Sequence, residues 1–114
     1  MTSGSYAYPS EKLAAARRTL MAPHPKGEAD SFGFAFHECS LGLRDVRLED
    51  LDDNARSWVE IIRETMDTTG IEDPQRRGAW FIKAERLSIE EKSRFSSAVD
   101  ELAFWFHERF MDRQ

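Results

Sequence analysis

Apolar residues recur near the end of the chain in steps of three and four, at Phe95, Val99, Leu102, Phe106 and Phe110. At about 100° per residue these positions stack on one side of an α-helix and form a core-facing stripe. Ala98 and Trp105 widen one edge of the stripe and Ala103 the other, while Phe104 falls on the opposite side, with Met111 and Ser97. Just upstream, Ser88 and Glu91 have capping-box spacing: the serine oxygen accepts from the Glu91 backbone N–H, and the glutamate accepts from the serine N–H. A helix over residues 89–111 is predicted, with a well-marked start.

Earlier in the chain the same period appears three more times. Leu13, Ala16 and Leu20 give a narrow face to a helix over 11–21, capped by Ser10 and stopped by Pro23 and Pro25. Its narrow face predicts a peripheral place. Residues 1–9 read as an extended lead-in, and Pro23 to Gly27 as a rigid loop. A second helix, over 32–46 and capped by Asp30 or Ser31, carries Phe32, Ala35, Phe36, Cys39, Leu43 and Val46 on one side, with Phe34 and Leu41 near the other. Its Gly33 and Gly42 lower intrinsic helicity by about 1 kcal/mol each, so close approach of a neighbouring helix is expected there. The third helix, over 52–69, presents Leu51, Ala55, Trp58, Val59, Ile62 and Met66. Acids at 49, 50, 52 and 53 suit its positive end, and Gly70 with Ile71 is expected to close its C-terminus. Between Ala79 and Leu87 the pattern is mixed. A short helix near 79–86 is favoured because no second strand is on offer to satisfy an isolated one. The fold class is therefore all-α, a compact bundle of four main helices plus one short helical segment, in a single domain over residues 1–114.

Composition narrows the function classes. With 40% hydrophobic and 32% charged residues, the chain is neither membrane-like nor disordered. No apolar run reaches the roughly 20 residues of a membrane span, and residues 1–6 lack a secretory start, so no membrane partner is expected. Cytoplasmic location follows as the expectation. The lone Cys39, set among apolar helical positions, agrees with it and reads as a buried inert thiol. A net charge of −5 argues against nonspecific binding to nucleic acid.

The chemistry-bearing residues are sparse. Phe36-His37-Glu38 and Phe106-His107-Glu108 repeat one tripeptide, yet neither histidine follows a glutamate by three residues and no His-x-x-x-His pair exists. No metal site is assigned. No cofactor is expected either, because the chain has no Gly-rich phosphate loop, no Gly-x-Ser-x-Gly elbow and no cysteine pair. Arg18 and His24, five residues apart, resemble the Arg-x(4–6)-His motif of HEPN ribonucleases, all-helical dimers that cleave RNA with that pair. The resemblance covers these seven residues. The chain departs from the family pattern at Thr19, where a polar amide or acid usually follows the arginine, and at Pro23, which breaks the helix before His24. An RNA-cleaving dimer using Arg18 and His24 is therefore the alternative reading.

The preferred reading is a small interaction or regulatory protein without catalytic activity. It binds a protein partner or itself through the apolar residues outside the main stripes, Phe34, Leu41, Phe104 and Met111. Central helices buried all round would also account for those four.

Overall fold

The computed structural model describes residues 6–24 and 26–112, with five α-helices, one 3₁₀ turn and no strand among them. The fold is all-α, as the periodicity predicts. The helices are α1 (Ala7–Met21), α2 (Glu28–Leu43), α3 (Asp53–Met66), α4 (Ala79–Glu85) and α5 (Ile89–Asp112), and the 3₁₀ turn spans Leu48–Asp50. None of the described helices is long and apolar enough to cross a membrane.

The predicted capping box of α5 forms in both directions. The Ser88 N–H donates to Glu91 Oε1 at 2.8 Å, and the Glu91 N–H donates to Ser88 Oγ at 3.1 Å. Phe95, Val99, Leu102 and Phe106 are fully buried, and Ala98, Ala103 and Trp105 are buried at the edges of the same stripe. The short α4 is a helix, entered through Gly78, whose N–H and that of Arg77 both donate to the Asp73 carboxylate.

Several helix ends differ from expectation. The extended lead-in over 1–9 gives way to helix from Ala7, and residues 1–5 lie outside the described residues. Pro9 falls in the first turn of α1, where its missing N–H costs nothing. Ser10 is therefore inside the helix, donating its N–H to the Tyr6 carbonyl at 2.9 Å, and is no cap. The stop before Pro23 is as predicted, with Ala22 extended; Pro25 lies outside the described residues. α2 starts four residues earlier than predicted, after Gly27 at φ 101°, a conformation that L side chains rarely adopt. Asp30 and Ser31 thus occupy its first turn rather than its cap. α3 ends at Met66 because Asp67 turns extended and accepts from the Thr69 N–H and hydroxyl at 3.0 and 2.6 Å. Gly70, at φ 80°, serves the following turn instead of a helix cap.

The largest correction concerns α1, which is central rather than peripheral. It packs against both α2 and α5; α3 covers the far side of α5, and α4 covers the far side of α2. Small residues permit this. A Cβ on Gly42 would come within 2.8 Å of Lys12 Cβ and 3.0 Å of Leu13 Cδ2, so α1 and α2 approach closely at that point. Leu13 and Ala16 are consequently buried completely despite the narrow apolar face of α1. Gly33 plays the corresponding part for α4, receiving the ring of Phe81. Phe95 joins α5 to α2 through the core, with its ring 5.0 Å from that of Phe36 and edge-on to it.

Candidate functional site

A concavity follows the seam between α1 and α5. Arg17 pairs with Asp100 across it, and Leu20 and Met21 lie near Ser96 and Ser97, while Tyr6 stacks near Trp105 and Phe106. Rising positions on α1 thus meet falling positions on α5, and the two helices run antiparallel. A groove of about 640 Å³ opens on their shared flank, lined by Ser10, Ala14, Arg17 and Arg18 from α1 and by Asp100, Glu101, Ala103, Phe104 and His107 from α5. A second hollow of about 360 Å³ continues it past the Arg17–Asp100 pair to Leu20 and Met21. The groove exists because small side chains, Ser10, Ala14 and Ala103, occupy facing turns and leave space that larger ones would fill.

Large apolar side chains border this space. Phe104 is 64% exposed, Met21 68% and Met111 51%. Phe104 and Met111 are seven residues apart on α5, two turns along one flank. Met21 is at the far end of the seam on α1 and had no place in the sequence reading. Its place beside Ser96, Ser97 and Asp100 of α5 is one that no local pattern on α1 records.

The four apolar residues singled out from sequence divide between two flanks of the molecule. Phe34, 51% exposed, lies edge-on to Phe81 of α4 with ring centroids 5.5 Å apart. Leu41, two turns further along α2, is half-buried. Glu38, one turn from Phe34 on the same side of α2, and Gly42 meet α1. Phe36 of α2 meets Phe95 of α5 across the core, and Phe34 and Phe104 each lie exposed off the buried stripe of their own helix, so the two point away from one another. Burial all round, the other account of these residues, does not hold for Phe34, Phe104 or Met111.

The titratable candidates are similarly dispersed. Arg18 lines the α1–α5 groove, whereas His24 engages Ser31 Oγ through Nδ1 at 2.7 Å, against the first turn of α2. Within one chain the two side chains face different helices. His37 lies beside Trp80, with rings 6.2 Å apart, and His107 lines the groove, so the two copies of the repeated tripeptide do not converge. Among the described residues no group of three or more His, Cys, Asp or Glu side chains is placed to hold a metal ion. Cys39 is fully buried, and burial pushes its thiol well above the ordinary range.

Carboxylates made more acidic by the fold do structural work away from the groove. The Ala55 N–H, then the Trp105 indole, hold Asp52 below the usual range; the Ser88 N–H does so for Glu91, the Thr69 hydroxyl for Asp67, and the Lys92 ammonium for Glu28. Three of them cap or close helix ends and the fourth joins α2 to α5. In the groove itself Arg17 and Asp100 neutralise each other, leaving Arg18, Glu101 and His107 as a polar rim around an aromatic anchor. Such an arrangement can hold the side chains of a docked helix, apolar at the centre and charged at the edge.

No protein-family model, curated protein or solved structure matches the chain.

Proposed function

We propose that this protein is an interaction domain that docks a protein partner along the α1–α5 groove, with Phe104 as the central anchor and Met21 and Met111 extending the contact. The observation that carries this reading is that exposed Phe104 lines the groove and exposed Met21 lines the hollow that continues it, with Met111 two turns beyond Phe104 on the same side of α5. Burying a phenylalanine side chain contributes about 1.5 to 3 kcal/mol, and binding energy concentrates in such aromatic anchors. Two methionines beside the anchor supply adaptable apolar area, because their unbranched side chains repack readily. Arg18 and Glu101 at the rim orient the encounter more than they strengthen it. Phe34, packed against Phe81, is assigned to the α2–α4 contact instead.

A benzophenone amino acid installed in place of Phe104 tests the reading in the native host. Irradiation is expected to yield a discrete adduct at position 104 and none from the same probe at position 34. Absence of an adduct at 104, or equal adducts at both positions, overturns it.

A further inference from the structure

We propose that the occupant of the groove is a second copy of this chain, packed about a two-fold axis that runs along the groove. This rests on the reading of the α1–α5 flank as a docking face. Charge is the first reason. Within the groove lining, α1 contributes Arg17 and Arg18 and no acid, while α5 contributes Asp100 and Glu101 and no lysine or arginine. Two orientations of a two-fold axis lie in the plane of such a face. An axis across the helices sets α1 on α1 and, where it passes at the level of Arg17 and Arg18, brings arginine toward arginine. An axis along the groove sets α1 of each protomer on α5 of the other, so that Arg18 meets Glu101 of the partner subunit twice over.

Shape is the second reason. The same axis keeps residues at their own level along the groove, and at the level of Phe104 the opposing α1 surface is formed by Ser10 and Ala14. Each phenylalanine therefore projects over the small-residue floor of the partner's groove, where there is space for it. α1 and α5 are already antiparallel, so every neighbouring pair in the resulting four-helix layer is antiparallel as well.

Size sets the strength. With helices about 10 Å wide and 1.5 Å per residue, the 15 residues of α1 and 24 of α5 offer a face of about 600 Å² per protomer. That is at the lower edge of stable interfaces, which bury about 1,200 to 2,000 Å² in total. The dimer is accordingly concentration-dependent.

Light scattering and sedimentation of the full chain across an ascending concentration series test this directly. The mass is expected to climb from the 13.2 kDa monomer toward twice that value. Phe104→Asp holds it at the monomer. Arg18→Glu and Glu101→Arg, both at exposed positions, each weaken association about tenfold. Mixing these two charge variants in equal amounts restores the two-chain species, because both contacts between chains are again of opposite sign while each chain alone keeps a like-charge pair. A wild-type monomer at every concentration, or a dimer indifferent to Phe104→Asp, overturns the proposal, as does a mixture no tighter than its components. If the wild type stays monomeric while the probe at position 104 still captures a different protein, the docking face stands and only its occupant is wrong.

Discussion

The indole N–H of Trp105 donates to Asp52 Oδ2 at 3.0 Å, joining the last helix to the start of α3 across 53 positions of sequence. The same carboxylate accepts the Ala55 N–H through Oδ1 at 2.8 Å, so one side chain both caps α3 and ties it to α5. Arg109 completes the arrangement, stacked over the Trp105 ring at 4.4 Å and 3.6 Å from Asp52. Replacing Asp52 by alanine removes the cap and leaves the indole N–H without its acceptor. Asp52→Ala is expected to lower unfolding free energy by about 1 to 2 kcal/mol in urea titrations, and Trp105→Phe, which spares the cap, by less.

Acid sensitivity follows from the depressed carboxyls. Asp52, Glu91, Asp67 and Glu28 all have folded-state pKa values below their unfolded ones. Their contribution is complete above the unfolded values of about 4 and is lost as pH falls through the folded ones. The denaturant midpoint is expected to hold level from neutrality to about pH 5 and to decline below about pH 4. Glu91→Gln should make that decline shallower by removing one participant, as seen by circular dichroism at each pH.

Gly42 offers a test in which propensity and packing oppose each other. In an exposed helix interior, glycine to alanine stabilises by about 1 kcal/mol. Here the added methyl would meet Lys12 Cβ and Leu13 Cδ2 in α1. Gly42→Ala is expected to destabilise by about 1 to 3 kcal/mol instead, with a lower melting temperature as the readout. A rise in melting temperature would show that α1 and α2 separate without cost.

Two phenylalanines two residues apart on α5 should respond in opposite ways. Phe104 projects to solvent and Phe106 is wholly buried. Phe104→Asp should leave helical circular dichroism intact and shift stability by no more than about 0.5 kcal/mol. Phe106→Ala should cost about 3 to 5 kcal/mol, since it opens a cavity in the core.

What the sequence determined on its own was whatever depends on residues within about two helical turns of one another. The α5 stripe, the Ser88–Glu91 box and the helical state of α4 were all legible, because i to i+3 and i+4 relations are set by helix geometry alone. So was the unusual position of Phe104, off the stripe of its own helix. Helix ends were less so, since Ser10, Asp30 and Gly70 are good capping residues that this fold uses otherwise: Pro9 sits comfortably in a first turn, Gly27 takes a conformation open to glycine, and Asp67 closes α3 before Gly70 is reached. Only the tertiary structure decided which helices share a seam. The central place of α1 depends on Gly42 yielding to Lys12 and Leu13, 30 and 29 positions away in the chain. From that placement came the separation of Phe34 from Phe104 and the company that Met21 and Arg18 keep with α5. Periodicity reports which side of a helix is apolar; which neighbour that side meets is settled by packing between segments distant in the chain, where no local pattern carries the information.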